Sequence, residues 1–150
     1  MEKSIQQLQS IINRYTHELS ALNEDEWTHK PNPSKWSRKE VLGHLIDSAQ
    51  NNMRRFIVAQ YEDNPKIAYA QDKWVALANY QNYVTDDLVT LWALLNKHIC
   101  IVLKSIPEGV EERMCNTGEM HSIKWLAADY NKHLLHHLHQ VLNLEAVAYP

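Results

Sequence analysis

Hydrophobic residues recur at helical spacing over four long segments of the chain. In the first segment, about residues 5–22, apolar side chains follow the i, i+3, i+4, i+7 pattern of an amphipathic helix: Ile5, Leu8, Ile11, Ile12, Tyr15, Leu19 and Leu22. The second segment opens with Ser37-Arg38-Lys39-Glu40, which matches a capping box in which the serine hydroxyl accepts from the third helical N–H. Its helix is predicted to run to about Tyr61.

Proline residues separate the four segments, at Pro31 and Pro33, at Pro65 and at Pro107. The third segment, about residues 72–105, is predicted to form one helix across the polar stretch at 84–87. The last, about residues 123–148, has Ser122 as its expected N-cap. The connections at 62–71 and 106–121 are long, as is typical of loops that shape a pocket. The pattern therefore predicts an all-α protein, a single four-helix bundle domain over residues 1–150.

Composition narrows the class of protein further. Only three glycines occur, with no Asn-Gly or Asp-Gly pair, which disfavours a β-rich fold. Fifteen Lys and Arg residues against 18 Asp and Glu residues, without a basic block, argue against nucleic acid or an anionic membrane as the partner. Two cysteines without a CxxC motif are typical of a reducing compartment. No apolar run approaches the length of a bilayer span, so a cytoplasmic location is expected.

Histidines are the most informative residues of the last segment. The chain has nine, and four of them lie within residues 133–139. On a helical wheel the apolar side chains of this segment form one arc, with His137 inside it and His133 at its edge. His136 and His139 point away from the arc, toward the rim or solvent.

The pair His133 and His137 has the i, i+4 spacing that places two imidazoles on one helix face, one turn apart. This is the geometry in which two histidines bind one metal ion. The competing interpretation is a histidine-rich helix with solvated side chains and one hydrogen-bonded core histidine. Spacing alone does not decide between the two.

A metal ion needs at least a third ligand, and two histidines on other segments are candidates. His44 lies outside the apolar arc of the second segment. His98 is flanked by apolar residues of the third segment and is expected to be more buried than His44. Periodicity therefore favours His98, for which the alternative interpretation is a core histidine hydrogen-bonded to a neighbour.

Three stretches resemble a known family: Lys-Trp-Ser-Arg-Lys-Glu-Val-Leu-Gly-His-Leu-Ile-Asp at 35–47, Tyr-Ala-Gln-Asp-Lys-Trp-Val at 69–75, and Asp-Tyr-Asn-Lys-His-Leu-Leu-His-His-Leu-His-Gln at 129–140. From about residue 27 to residue 140 the chain resembles the DinB-like superfamily. The resemblance implies a four-helix bundle in which one histidine of the second helix and a histidine pair of the last helix hold a divalent metal ion. Carried over, the ligands are His44, His133 and His137, so the resemblance selects His44 over His98.

The same resemblance implies an open, catalytic type of metal centre. Three neutral imidazoles leave the charge of a divalent ion uncompensated and coordination positions free. Zinc and nickel are the expected metals, and iron, cobalt and manganese are also compatible with the ligands. Asp47, Asp129 and Gln140 are expected to orient the ligands through hydrogen bonds. Many members carry Arg-Gly-Gln after the histidine pair, whereas this chain has Leu138-His139-Gln140.

Two enzyme classes follow from the resemblance, both acting on a small-molecule substrate in detoxification or a stress response. One is hydrolysis, and the other, which is favoured, is S-transfer, in which the metal binds a low-molecular-weight thiol as thiolate for attack on an electrophile. Cys100 is predicted to be core and Cys115 to lie in a loop, so the nucleophile is expected to come from outside the chain.

Two further classes remain open besides the enzymes. The first is a non-catalytic bundle that binds a metal or a small ligand, and the second is a structural interaction protein with an empty histidine cluster. A homodimer formed through the first or third helix is a further expectation from the resemblance.

Overall fold

The computed structural model describes residues 1–149, and its architecture is dominated by four long helices. The elements, in chain order, are α1 (Glu2–Ser20), α2 (Glu24–Thr28), α3 (Arg38–Val58), α4 (Gln71–Ala78), α5 (Thr85–Lys104), β1 (Met114–Asn116), β2 (Met120–Ser122) and α6 (Ile123–Val141). Short 3₁₀ turns lie at Tyr80–Asn82 and Val110–Glu112. Among residues 1–149, no helix combines the length and the apolar character that crossing a membrane requires.

The four long helices form the predicted bundle. Helix α5 packs between α1 and α3, and α6 packs against both α1 and α3. The apolar positions of the first segment face the core, since every one from Ile5 to Leu19 is buried. Trp27 on α2, Phe56 on α3 and Trp92 on α5 are the bulkiest fully buried side chains. Periodicity alone thus identified the face of α1 that packs in the core.

Both predicted N-caps are confirmed, and they fix where the two site-bearing helices begin. Ser37 Oγ accepts from the backbone N–H of Glu40 at 3.2 Å, and the Glu40 carboxylate accepts from the backbone N–H of Ser37 at 2.8 Å. At the start of α6, Ser122 Oγ accepts from the backbone N–H of Trp125 at 3.2 Å. These side chains satisfy backbone donors that the first helical turn leaves without partners.

The prediction of one helix over the third segment is wrong, because the chain breaks between α4 and α5. Asn79 adopts a left-handed conformation with φ 58°, which asparagine tolerates better than most residues. The break turns Tyr80 into the bundle, where its hydroxyl donates to Asp47 Oδ1 at 2.5 Å. The Tyr80 ring lies so close to α3 that a Cβ on Gly43 would be 2.1 Å from Cδ2. Gly43 therefore permits the contact that ends the helix.

The last helix is shorter than predicted, ending at Val141 and not near residue 148. Asn143 adopts a φ of 55°, and residues 142–149, here called the C-terminal segment, fold back along α6. His136 Nδ1 donates to the carbonyl of Val147 and His139 Nδ1 to that of Glu145, each at 2.6 Å. The two histidines expected at the rim or in solvent are thus half-buried contacts of this segment.

The connection between α5 and α6 contains a small hairpin that the sequence did not predict. Strands β1 and β2 pair antiparallel, with Met114 opposite Ser122, and Gly118 at the turn has a φ of 125°. Asn116 joins this hairpin to the other long connection, since its carbonyl accepts from the backbone N–H of Ile67 at 2.8 Å. The two long connections therefore form one wall beside α3 and α6.

Candidate metal centre

Helices α3 and α6 bring three histidines together inside the bundle. His44 comes from α3, and His133 and His137 come from successive turns of α6. One ring nitrogen of each lies within 4.8 Å of those of the other two. The Nε2 atoms of His44 and His133 are 3.0 Å apart. The three rings pack edge to face, with centroid separations of 5.0, 4.9 and 4.6 Å.

His98 lies elsewhere, exposed on α5, so the expectation that it is more buried than His44 was wrong. His44 is only 1% exposed. The reason is that α3 packs against α2, α4, α5, α6 and the Tyr80 turn, so it is buried on more faces than its apolar arc. Polar residues of α3, among them Ser48 and Asn52, are buried for the same reason.

Burial keeps the three imidazoles neutral. Removal from water lowers the pKa of His44 to about 4, with a smaller contribution from the charge of His137. Burial likewise lowers the pKa of His133 to about 2, assisted by the neighbouring histidines. Burial also lowers the pKa of His137. All three rings therefore present a lone pair at neutral pH, the form in which imidazole binds a metal ion.

Neighbouring side chains hold two of the rings in place. His137 Nδ1 donates to the Gln140 side-chain oxygen at 3.1 Å, which leaves Nε2 as the lone-pair nitrogen. Ser48 Oγ lies 3.4 Å from His133 Nδ1. The Trp36 ring packs on His44 with centroids 5.2 Å apart. Within residues 1–149, His44 Nδ1 is buried and forms no hydrogen bond.

The structure places the three residues expected to orient the ligands in different surroundings. Gln140 contacts His137, as described above. Asp47 accepts from Tyr80, and its second oxygen is buried without a partner among residues 1–149. Burial raises the pKa of Asp47 to about 6. Asp129 accepts from the hydroxyl of Tyr149 at 2.8 Å. In the described part of the chain, both carboxylates thus bond tyrosines and neither bonds a ring of the triad.

A cleft of about 500 Å³ lies beside the cluster, lined by His133 and His137 and by residues of α3, α6 and both long connections. Its other walls include Arg55, Tyr69, His121, Trp125, Asp129 and Tyr149. The His121 ring stacks on Trp125 with centroids 3.7 Å apart. The Tyr149 ring lies beside His133 and His136, with its centroid 5.3 Å and 6.0 Å from theirs. A mixed polar and aromatic cleft next to grouped histidines is a typical small-molecule site.

Several residues that line the cleft were not predicted from the sequence. Ser48, Asn52 and Arg55 follow His44 along α3 at intervals of four, four and three residues, so they form one stripe on the helix. That polar stripe was a signal in the sequence for a polar site on α3, because it runs along a helix that is otherwise rich in apolar residues. Tyr69 opens the second stretch that resembles the family, but the resemblance gave it no role at the site. Tyr149 reaches the cleft from a segment without helical periodicity, and no sequence pattern marked it.

The three nitrogens suit a first-row divalent metal ion. Imidazole is a common ligand of zinc, nickel, copper and iron in proteins. A ring nitrogen bonds zinc at about 2.0–2.1 Å, so nitrogens within 4.8 Å of one another need only small side-chain rotations to share one ion. In the described residues, this cluster of three contains no carboxylate and no thiolate.

Comparison with known proteins places the chain in a family. Residues 7–141 match the model of the DinB superfamily. A protein named "Putative metal-dependent hydrolase" from Bacillus mycoides (strain KBAB4) is 26% identical over 147 residues, covering 96% of this chain and 84% of the relative. A protein of the same name from Bacillus cereus (strain 03BB102) is 27% identical over 143 residues, covering 93% of this chain and 82% of the relative.

Solved structures share the fold. YfiT from Bacillus subtilis, described as a probable metal-dependent hydrolase with an unusual four-helix bundle topology, superimposes with a TM-score of 0.84 at 20% identity, covering 95% of this chain and 83% of YfiT. A mutant of a mycothiol-dependent maleylpyruvate isomerase superimposes with a TM-score of 0.80 at 12% identity, covering 97% of this chain but 61% of the isomerase. Because the family model matches most of the chain and the fold is shared, this protein belongs to the DinB superfamily.

Proposed function

We propose that the protein is a metal-dependent enzyme in which His44, His133 and His137 hold one divalent ion and the adjoining cleft binds a small-molecule substrate. The observation that carries the proposal is the convergence of three neutral imidazoles from two helices beside a cleft that two of them line. Ordering three polar side chains and removing them from water costs free energy of folding. A ligand bound between them would offset this cost.

A bound ion would supply a Lewis acid that lowers the pKa of a water or thiol bound to it. Zinc and nickel are the metals we propose first, and iron, cobalt and manganese are also compatible with imidazole ligands. Gln140 and Ser48 would fix the orientations of the His137 and His133 rings. Trp36 shields His44 from solvent, and the Tyr149 ring limits the access of water to His133.

Among possible reactions, we propose S-transfer with an external low-molecular-weight thiol. Cys100 and Cys115 are both buried away from the cleft lining, and burial raises the pKa of each thiol. Neither is placed or poised to act as nucleophile at the site. A structural neighbour, the maleylpyruvate isomerase, is mycothiol-dependent, and this supports an external thiol for this chain as well.

Hydrolysis is the second candidate, and the names of the relatives favour it. The site offers one residue for this reaction in particular. Asp129 places a carboxylate in the cleft, where it accepts from Tyr149. A carboxylate so placed can accept a proton from water during hydrolysis.

The experiment compares two reactions on the same protein samples. Metal-reconstituted protein, chelator-treated protein and the His133→Ala variant are assayed for conjugation of cysteine to chlorodinitrobenzene and for hydrolysis of nitrophenyl acetate. We expect conjugation faster than the uncatalysed background reaction in the reconstituted sample alone. Hydrolysis without conjugation in the reconstituted sample, and neither reaction in the other two samples, would favour a hydrolase. Stoichiometric metal without turnover in either assay would contradict an enzyme of these two classes and favour a non-catalytic metal-binding bundle.

A further inference from the structure

The cleft contains one strongly basic side chain at some distance from the histidines. Arg55 lies on α3 and lines the cleft, and the described lining includes no other arginine and no lysine. Ser48, which approaches His133, lies two helical turns before Arg55, or about 10 Å along the helix axis. The cleft therefore runs from the histidine cluster to this guanidinium.

Two hydrogen bonds hold the guanidinium in a fixed position. Nε donates to the carbonyl of Ile67 at 3.1 Å, and Nη1 donates to Asn52 Oδ1 at 3.2 Å. Asn52 is itself buried, and its side-chain nitrogen donates to the carbonyl of Ser48 at 3.0 Å. The guanidinium is thus oriented before any ligand arrives, which reduces the conformational entropy lost on binding.

Arg55 forms no direct ion pair in the described part of the chain, and only the more distant Asp129, in the same cleft, adds a carboxylate charge that favours its protonated form. No carboxylate of residues 1–149 lies within 4.0 Å of its nitrogens, and Nη2 donates to no acceptor among those residues. Arginine stays protonated even where burial disfavours its charge. A half-buried cation with spare donors and no ion-pair partner is unfavourable by itself and favours an anionic ligand.

We propose that Arg55 binds the carboxylate of the small molecule that occupies the cleft, while the other end of that molecule reaches the histidine cluster. The planar guanidinium presents paired N–H donors that match the two oxygens of a carboxylate. The Tyr69 ring lies beside it, 6.0 Å from the guanidinium carbon. The position at the cluster rests on the proposed function, whereas the carboxylate site itself does not.

Asp129 restricts what else that molecule can carry. Its carboxylate faces the same cleft from α6 and repels a second anionic group. Apart from a thiolate bound to the metal ion, the remainder of the ligand should therefore be neutral or cationic. The substrate class is thus a small carboxylate compound with no other free anionic group, long enough to span about two helical turns.

The first arm of the test uses metal-free protein, so it does not depend on the histidine cluster. Hexanoate, hexanol and inorganic phosphate are titrated separately, and dissociation constants are taken from the backbone amide shifts of cleft residues by NMR. We expect hexanoate to bind at least about tenfold more tightly than hexanol, because only the carboxylate forms charge-assisted hydrogen bonds with the guanidinium. Equal binding of hexanoate and hexanol would overturn the proposal. Tighter binding of phosphate than of hexanoate would overturn the assignment to carboxylates.

Variants separate the role of Arg55 from general charge. Arg55→Gln should bring the affinity for hexanoate down to that for hexanol. Arg54→Gln, which changes the exposed neighbouring arginine, should leave it unchanged. Arg55→Lys keeps the charge without the planar guanidinium, so its affinity for hexanoate should lie between those of the wild type and Arg55→Gln. If Arg55→Gln does not fold, Arg55→Lys is the variant that tests the proposal. A preference for hexanoate that survives in Arg55→Gln, or in Arg55→Lys at full strength, contradicts the proposal.

The second arm uses cobalt-loaded protein with mercaptohexanoate and mercaptohexanol, followed by the thiolate-to-cobalt absorption band. We expect mercaptohexanoate to produce the band at a concentration about tenfold lower, and Arg55→Gln to abolish the difference. Failure to bind cobalt would contradict the proposed function and leave the first arm as the test of Arg55. A band with equal dependence on both thiols would contradict the role of Arg55 while supporting the metal centre.

Discussion

The two faces of α6 carry the same residue type in different roles. His133 and His137, the inner pair, face His44 and the cleft. His136 and His139, the outer pair, each donate through Nδ1 to a backbone carbonyl of the C-terminal segment. Both ring nitrogens of His139 have partners, since Nε2 lies 2.8 Å from the Tyr15 hydroxyl. The inner pair faces another imidazole instead of the backbone.

This difference shows that the surroundings of a histidine decide what it can do. An imidazole whose nitrogens are engaged by protein groups ties segments together and has little left to offer a metal ion. An imidazole with one nitrogen oriented by a neighbour and the other unprotonated is a ready ligand only where further donor groups converge on it. Among residues 1–149 this holds for His133 and His137, which group with His44, and not for His136, which also lines the cleft. We therefore assign metal binding to the inner pair and structural stability to the outer pair.

Removing an inner histidine should give the largest effect. His133→Ala and His137→Ala each delete one of three proposed ligands, and we expect the affinity for zinc to fall at least about 100-fold, beyond the loss typical of a group that only orients a ligand. Competition titration against a chromophoric chelator measures this. His136→Ala and His139→Ala, on the same helix, should stay within about threefold of the wild type. Equal losses in all four variants would end the distinction between the faces.

Asp47 extends the comparison to α3, where burial acts on a carboxylate. Its folded-state pKa of about 6 exceeds the ordinary 3.8, so the folded protein binds the proton more tightly than the unfolded chain. The resulting stability is complete below about pH 3.8 and is lost as the pH rises through 6. In metal-free protein, Asp47→Asn should therefore be more stable than the wild type above pH 6, by on the order of 1–3 kcal/mol.

Urea denaturation of both proteins at several pH values measures this difference. The advantage of Asp47→Asn should shrink as the pH falls toward 4, because the wild-type carboxyl then becomes neutral as well. A difference between the two proteins that does not change with pH would contradict the raised pKa.

Removing an outer histidine should affect stability instead of metal binding. His139→Ala leaves the hydroxyl of Tyr15, a residue only 2% exposed, without its partner and releases the carbonyl of Glu145. We expect the free energy of unfolding to fall by about 1–2 kcal/mol, as measured by urea denaturation. His17→Ala, which alters an exposed histidine of α1, serves as the control and should change the free energy of unfolding little. An unchanged stability in His139→Ala would show that these contacts are unimportant.

The smallest effect is expected at Gln140, which orients His137 from one turn further along α6. Gln140→Ala should weaken zinc binding by about tenfold, the lower end of what losing such a hydrogen-bonding neighbour costs. The same competition titration measures it, with Gln50→Ala on the exposed side of α3 as the matched control. If both variants bind zinc like the wild type, the contact has no role in positioning the ring.

Local patterns in the sequence were sufficient to locate the starts of α3 and α6. The capping box at Ser37 and the cap at Ser122 depend on residues within one turn, and the structure confirms both. The ends of the helices were less predictable. The break at Asn79 depends on Tyr80 finding space against Gly43, and the end of α6 depends on contacts with the C-terminal segment. Such contacts join distant residues and leave no periodic trace.

In the candidate site, too, the features set by local spacing were predictable and those set by packing between distant residues were not. The i, i+4 spacing identified His133 and His137 as a pair, whereas the third histidine followed from family resemblance and not from periodicity. A helical wheel records one apolar face, but α3 is buried on several sides, so its polar residues are enclosed as well. The wheel was therefore a poor guide to the burial of His44 and of the polar stripe that leads to Arg55.

The central claim is that His44, and not His98, completes a metal centre with the inner pair. Elemental analysis of protein purified without an affinity tag, alongside His44→Ala and His98→Ala, tests it most directly. The account predicts about one divalent metal ion per chain in the wild type and in His98→Ala, and none in His44→Ala. Metal retained in His44→Ala, or a wild-type protein that takes up no zinc, nickel or manganese when these are supplied, would contradict it.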